Sequence, residues 1–439
     1  MKVETLSKDR LRISVIGLGY VGLPTAVGLF EAGHSIIGVD VSQSVIETLS
    51  DGRNHLNDSS EEISIPLKSN RWSLSEKYDA IIDSEVIIIT VPTPITRKNE
   101  PDLSYVEAAI GKVMEMIEKD SRTILVLEST VYPGVTRQLI EKYANTHGKS
   151  EGSDFFFAYC PERINPGVKG RGISTIQRIV GCDNEPSAEL LTKMYSEISL
   201  GATFVGSPEV AEAAKLIENV QRDVDLALTN ELAVVLSNFG LDSEEVFSAA
   251  SSKWNFHRHK AGIGVGGHCI PVDPYYYLAL FENQSDFEES IVRTSRRTNN
   301  SMPAFCSKQI MSELGLSAGE KVIVFGYSYK PNIGDIRNSP SVELVALLES
   351  EGLNVEVFDP HCEPPNKCDF TWHSEAKSLA LDYSAIIVAT DHDAFDLGEN
   401  SLHSICPGKR IYDGRRALEN KSFLERGWIF SAIGLGGAA

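Results

Sequence analysis

Gly17-Leu18-Gly19-Tyr20-Val21-Gly22 is the segment that leaves this chain the fewest folds. It follows an Ile/Val-rich run, residues 12–17, that reads as a buried strand, and opens a stretch, residues 24–32, that reads as a helix. Three glycines at this spacing between a strand and a helix are the dinucleotide turn of a βαβ unit. The first permits the tight turn, the second lets a pyrophosphate reach the backbone, and the third lets helix pack on strand. Free N–H groups at the helix start then face the anion. Asp40 closes the second strand, where a carboxylate accepts hydrogen bonds from ribose hydroxyls and repels a 2′-phosphate. NAD is therefore the expected cofactor, and Arg53 is the cation that could sit nearby and admit NADP.

The same rhythm continues. Residues 35–39, 86–91 and 123–127 read as further strands of a parallel sheet, 105–119 as a helix, and 155–160 and 178–180 as two more strands. Ser207-Pro208-Glu209 is a helix start, with Ser as cap and Pro in the first turn. No glycine follows until Gly240, so one long helix is expected, a spine with shorter helices continuing to about Gly315. Strands return at 321–325, 354–358 and 385–389, with a helix over 341–351. The fold class is α/β: two doubly wound Rossmann-like domains joined by a long central helix and a helical middle domain. The expected division is 1–205, with the NAD turn, 206–315, with the cysteine loop, and 316–439. Gly326-Tyr327-Ser328-Tyr329-Lys330 follows a strand but lacks the full glycine signature, so a second dinucleotide is not expected there.

Composition narrows the function classes. At 439 residues, two or three domains are the expectation. Hydrophobic content of 42% and charged content of 23% describe a globular chain. A net charge of −20 excludes nucleic acid as a natural partner. Neither a signal peptide at the N-terminus nor a membrane span is expected. Seven cysteines without a C-x-x-C pair signal neither zinc nor disulfides, and reduced thiols point to the cytoplasm.

The segment from Gly262 through Gly266-Gly267-His268-Cys269-Ile270-Pro271-Val272-Asp273-Pro274 holds four glycines, a Cys and an Asp. Glycine at this density lets backbone approach a ligand. An isolated Cys is usually a small buried hydrophobe. One in such a loop, four residues before an Asp, reads as a nucleophile. Lys215 and Asn219 share one face of the long helix, and their spacing alone reads as a solvated face. Glu128-Ser129-Thr130 and Pro161-Glu162-Arg163 carry the same ambiguity, although 128–130 ends a strand where parallel-sheet sites form.

Taken together these segments resemble the UDP-glucose/GDP-mannose dehydrogenase family. Gly17–Gly22, Val91-Pro92-Thr93-Pro94, 128–134, 161–167, Lys215 with Asn219, 266–274 and 330–340 match in family order. The resemblance implies two successive oxidations of a sugar C6 alcohol by two NAD molecules, without a metal. Cys269 would capture the aldehyde as a thiohemiacetal that is oxidised to a thioester. Lys215 and Asn219 would stabilise the oxyanion, and Asp273 and Thr130 would position water. Glu162 would be the base of thioester hydrolysis, while the first base is either Lys215 or a water held by Asp273. Gly17, Gly19, Tyr20, Val21, Gly22, Asp40, Pro92, Thr93, Thr130 and Arg337 would hold NAD. Glu162, Arg163, Lys215, Asn219, Arg258, Gly266, Gly267 and Lys330 would hold the UDP-sugar. In relatives the His257-Arg258-His259 segment crosses into the partner subunit's site, and a homodimer or dimer of dimers through the long helix is implied.

Within the family, His268 before the cysteine, Pro161-Glu162-Arg163-Ile164-Asn165-Pro166-Gly167 and Lys253-Trp254-Asn255-Phe256 resemble the UDP-N-acetylhexosamine 6-dehydrogenases. A product of that type would feed polysaccharide or glycan synthesis. Asp225 departs from the Asn common in relatives. UDP-glucose, GDP-mannose, a single-step 3-hydroxyacid dehydrogenase and a catalytically silent NAD-binding module are the competing readings; the last two make no use of Cys269.

Overall fold

A parallel sheet buries both faces, so its strands must be apolar at successive positions. Val86 and Ile88 fall in one hydrophobic core of the protein, and Ile87 and Ile89 in another. That alternation gives a sheet with helices on either side. The structure, a computed structural model, describes residues 10–56, 63–67, 69–164, 172–281 and 289–436. Asn165-Pro166-Gly167, part of one expected family segment, lies outside them.

The first sheet comprises β1 (Arg12–Ile16), β2 (Ser35–Val39), β3 (Trp72–Ser75), β4 (Val86–Ile89), β5 (Thr123–Leu127), β6 (Phe155–Tyr159), β7 (Gln177–Gly181) and β8 (Gly201–Gly206). Their order is β3-β2-β1-β4-β5-β6-β7-β8. All neighbours are parallel except β6 and β7, which meet antiparallel through Tyr159 and Gly181. Helices α1 (Gly22–Glu31), α2 (Gln43–Ser50), α3 (Ser104–Met116), α4 (Val135–His147) and α5 (Glu185–Ser196) connect them. The long helix is α6 (Pro208–Asn238), 31 residues and about 46 Å at 1.5 Å per residue. Glu212 near its start accepts hydrogen bonds from Gly134 N and Thr136 N at 2.6 and 3.0 Å, capping α4 from a distant element. Then come α7 (Ser243–Ala250), α8 (Asp273–Leu278) and α9 (Ile291–Glu313).

The second sheet holds β9 (Lys321–Phe325), β10 (Asn354–Phe358), β11 (Thr371–His373), β12 (Ala385–Val388), β13 (Arg410–Asp413) and β14 (Ile429–Ala432). It is wholly parallel in the order β11-β10-β9-β12-β13-β14. Both sheets thus share the 3-2-1-4-5-6 Rossmann order, and the first adds two strands. The expectation of two doubly wound domains and a helical middle is met. The chain packs as two compact units, one of Met1–Glu218 with Tyr275–Glu282, the other of Asn219–Pro274 with Asn283–Ala439.

In the second unit a buried polar chain ties two helices, α6 and α9, to one loop. Arg296 Nη1 meets Asp223 Oδ1 at 2.5 Å. Asn299 Nδ2 donates to the same Oδ1 at 2.8 Å, and its Oδ1 accepts from Asn230 Nδ2 at 3.0 Å. Asn230 Oδ1 then accepts from Gly262 N at 3.0 Å, at the start of the glycine-rich cysteine segment. Burial raises the Asp223 carboxyl against the pull of Arg296, so the pair needs all its partners. Asp225, the position singled out in the sequence, lies 3.5 Å from His259.

Two outcomes are expected. Asp223→Ala should cost about 3–5 kcal/mol in urea unfolding, because Arg296 is left buried without its carboxylate. Unchanged stability would mean the chain of contacts is not formed. In Gly22→Ala the new Cβ would lie 1.8 Å from Gly17 O and 2.4 Å from Thr90 Oγ1. The turn must then open, so the rise in melting temperature that saturating NAD gives the wild type should vanish.

Candidate active site

Gly17 ends β1 with φ +89°, and its N–H donates to Val39 O at 2.8 Å. Thr90 Oγ1 donates to Gly17 O at 2.6 Å and fixes that carbonyl. Gly22 then starts α1 directly against the turn, which is why no side chain fits there. A Cβ on Gly19 would meet nothing within 4 Å. The space above Gly19 is therefore open to a phosphate group, and Tyr20 and Val21 follow it into the helix. Asp40 accepts from Leu18 N at 2.8 Å and from Ser42 N at 2.9 Å. A carboxylate offers about four acceptor positions, so capacity remains for ribose hydroxyls. Arg53 pairs with Asp51 at 3.0 Å. Asp40 acts in turn on His55, held down by burial against the pull of Asp40, and on Tyr78, pushed up by burial and by Asp40. Sequence reading missed His55, whose Nδ1 is buried with no hydrogen-bond partner. These residues fit a dinucleotide with an unphosphorylated ribose.

The C-terminal ends of the neighbouring strands carry the other expected residues of this unit. Pro92 and Thr93 follow β4, where Ser129 Oγ donates to Val91 O at 2.7 Å. Thr130 follows β5, partly exposed. Glu128 is far from a solvated surface. It is buried, with Arg178 Nη1 at 3.0 Å on one oxygen and Tyr195 OH at 2.6 Å on the other. Burial still pushes its carboxyl above the usual range, against Arg178 and Tyr195. Arg178 also reaches Thr25 of α1 at 3.2 Å and lies 3.8 Å from Glu162. One guanidinium thus serves the cofactor helix and two carboxylates. Arg163 is engaged by Glu218 at 2.6 Å and by Gln177 O at 3.0 Å. Lys215 is 7% exposed, so the solvated-face reading of its spacing is corrected.

In the other unit, Cys269 sits where the glycine-rich loop turns into α8. Its carbonyl accepts from Asp273 N at 2.8 Å. Asn219 Nδ2 donates to Asp273 Oδ2 at 2.5 Å, joining two expected residues. His268 Nδ1 is 3.1 Å from Cys269 Sγ. The glycines serve a purpose the sequence did not show. A Cβ on Gly266 would lie 2.6 Å from Tyr329 Cβ, and one on Gly267 2.8 Å from the Tyr329 ring. They let this loop pack on the chain's own 329–340 loop, where Gly267 N donates to Arg337 O at 3.1 Å and Asn338 Nδ2 to Gly267 O at 3.0 Å. All seven cysteines are free. Burial pushes the thiol of Cys182 up to about 11 and that of Cys306 up to about 12, and raises Cys160, Cys362 and Cys406 as well. Those five are unreactive near neutrality. Cys269 and Cys368 are the partly exposed pair.

Gly326 repeats the Gly17 turn, with φ +88° and its N–H on Phe358 O at 2.9 Å. Asp359 stands where Asp40 does, accepting from Tyr327 N at 2.8 Å. Here a Cβ would strike Thr390 at 2.4 Å, and the next helix, α10 (Pro340–Ser350), starts only after a long loop. The glycine and helix start of the Gly17 turn are not repeated here. Lys330 Nζ lies 5.6 Å from the Tyr329 ring. Arg337 is held by Asp335, with Nη2 to Oδ2 at 2.6 Å. Arg258 pairs with Glu244 at 2.5 Å. Among the described residues no group of three or more His, Cys, Asp or Glu could hold a metal ion, and no helix is long and apolar enough to cross a membrane.

Residues 11–199 match the NAD binding domain of the UDP-glucose/GDP-mannose dehydrogenase family, 209–301 its central domain and 323–420 its UDP binding domain. A UDP-N-acetyl-D-glucosamine 6-dehydrogenase of Salmonella typhi is 36% identical over 422 residues, 93% of this chain and 97% of that one. A UDP-N-acetyl-D-mannosamine dehydrogenase of Pyrococcus horikoshii is 33% identical over 440 residues, 97% of this chain and all of that one. The solved structure of the UDP-D-ManNAc dehydrogenase from Pyrococcus horikoshii aligns with a TM-score of 0.86 at 33% identity, over 97% of this chain and 100% of its own. The glycine turn lies in the first matched segment, Lys215, Asn219 and Cys269 in the second, and Lys330 with Arg337 in the third, so NAD is the cofactor and the chain belongs to the UDP-glucose/GDP-mannose dehydrogenase family.

Proposed function

We propose that this protein oxidises the C6 alcohol of a UDP-N-acetylhexosamine to the carboxylate in two NAD-dependent steps through Cys269. The observation that carries this reading is the Cys269 loop, a partly exposed thiol with His268 at 3.1 Å and the Asn219–Asp273 pair beside it. A thiolate adds to an aldehyde and later leaves, which a single oxidation does not require. The names of the relatives from Salmonella typhi and Pyrococcus horikoshii support the N-acetylhexosamine. UDP-glucose and GDP-mannose are the alternatives within the family. The proposed division of labour is 1–205 for NAD, 206–315 for Cys269 and the subunit interface, and 316–439 for the UDP group.

When bound, NAD supplies the hydride acceptor, one molecule per oxidation. Gly17, Gly19, Tyr20, Val21, Gly22, Asp40, Pro92, Thr93, Thr130 and Arg337 hold it. Lys215 and Asn219 stabilise the oxyanion at C6, each such donor being worth a factor of about 10²–10³ in kcat. Cys269 forms the thiohemiacetal and then the thioester. Asp273 and Thr130 hold the water, and Glu162 takes its proton as the thioester is cleaved. Arg163, Arg258, Gly266, Gly267 and Lys330 complete the substrate contacts. The acid would be used in polysaccharide or glycan synthesis in the cytoplasm.

The family's homodimer, or dimer of dimers, is supported by α6. Leu228, Leu232 and Val235 are all exposed, at spacings of four and three residues that place them on one face of α6, and exposed Phe239 follows directly after its end. Such a stripe is the seam of a helix–helix interface.

Purified protein given NAD should produce two NADH per sugar consumed. A panel of UDP-N-acetylglucosamine, UDP-N-acetylgalactosamine, UDP-N-acetylmannosamine and UDP-glucose should rank an N-acetylhexosamine first. Cys269→Ala should lose the second oxidation and release at most one NADH per sugar. One NADH per sugar from the wild type would sink the double oxidation. Leu232→Glu should convert the dimer to monomer in sedimentation, and an unchanged mass would move the interface elsewhere.

A further inference from the structure

His268 entered the sequence reading only as a marker of the N-acetylhexosamine branch, yet the structure puts its ring on the nucleophile. Nδ1 lies 3.1 Å from Cys269 Sγ, within hydrogen-bonding reach of a thiol. Asp335, on the 326–339 loop and 8% exposed, is bound by Arg337 through one guanidinium edge, Nε and Nη2. Burial works to raise the Asp335 carboxyl. The hydrogen bonds and charge of Arg337 outweigh it, and a protonated His268 would lower it further. The loop cannot swing away freely, because Gly266 and Gly267 are packed on Tyr329 and Gly267 is bonded at both its N–H and its carbonyl.

We propose that His268 is a catalytic residue, the base that takes the Cys269 thiol proton. The proposal rests on the reading of Cys269 as nucleophile. In the resting pair the ring carries its proton on Nε2, leaving Nδ1 as acceptor. The S–H bond breaks, its proton passes to Nδ1, and the electron pair stays on sulfur. That pair forms the C–S bond to the C6 carbonyl carbon, while the carbonyl π pair moves to oxygen. Charge is conserved: a neutral thiol and neutral imidazole become a thiolate and an imidazolium.

Elsewhere along this loop Asp273 is engaged by Asn219, Lys330 Nζ lies 5.6 Å from the Tyr329 ring, and Arg415 stands 3.3 Å from where a Cβ on Gly262 would be.

The test needs no substrate or cofactor. Carbamoylmethylation of Cys269 by iodoacetamide is followed across pH 5–10 on the full chain, with the modified peptide quantified by mass. A histidine-paired thiol should titrate at or below about 7.5, an unassisted one at about 8.5. His268→Ala and His268→Gln should both move the acid limb of alkylation up by about a unit or more, slowing the reaction at pH 6.5 by about tenfold. Profiles for both His268 variants that superimpose on the wild type, or shift to lower pH, would overturn the proposal. The failure of the Cys269 reading looks different: the Cys269→Ala enzyme would still yield two NADH per sugar, whatever the alkylation profile.

Discussion

A parallel sheet has to hide both of its faces, and that constraint decides where this protein can do chemistry. With helices packed on either side, the backbone and polar side chains can meet small molecules only at the strand ends. Gly17, Thr93, Thr130 and Glu162 all follow the C-terminal ends of strands in the first sheet, β1, β4, β5 and β6 respectively. Gly326 and Asp359 hold the same places in the second. The apolar strands do not recognise anything themselves. They fix where the loops begin, and the loops carry the recognition.

The polar groups that are buried despite this rule have a common use. Arg178 joins Glu128 and Glu162 to Thr25 of α1, and Asp223, Arg296, Asn299 and Asn230 lead to Gly262. Burying charge is costly unless every partner is present. In each case the cost is borne beside a loop that holds a proposed reactive residue, Glu162 in one unit and Cys269 in the other. The first network reaches Glu162 directly through Arg178, and the second reaches the Cys269 loop only through the backbone of Gly262.

Much of the fold was legible in the sequence because its signals are local. Unbroken Ile/Val runs, the glycine turn and a glycine-free helix from Pro208 are periodic or short-range features, and β1, β4, β5, β9 and α6 follow them closely. Less visible were β8, with Phe204 exposed, and β13 and β14, whose register depends on neighbours distant in sequence. The site divides along the same line. The Asn219–Asp273 bond joins residues far apart in the chain, and the sequence offered only their types. The burial of Lys215 and Glu128 was likewise hidden, since helical spacing and strand ends look alike whether wet or dry. The glycines of the cysteine loop were read as room for a ligand, whereas Tyr329 occupies the side on which a Cβ would stand. His268 carried no signal beyond its identity, because nothing in a sequence shows that neighbouring side chains turn toward each other.

The paired turns at Gly17 and Gly326 bear on how aspartates of this type are retained. Asp359 accepts backbone N–H bonds at the end of its strand just as Asp40 does, in a turn without the cofactor glycines. Closing such a turn is therefore reason enough to keep a carboxylate there. If Asp40 is the proposed ribose acceptor, selection on it has two sources, folding and cofactor choice, whereas on Asp359 the first alone suffices. A drift toward NADP would then have to relocate that contact while leaving an acceptor for Leu18 N–H in place, and single substitutions would change the cofactor preference slowly.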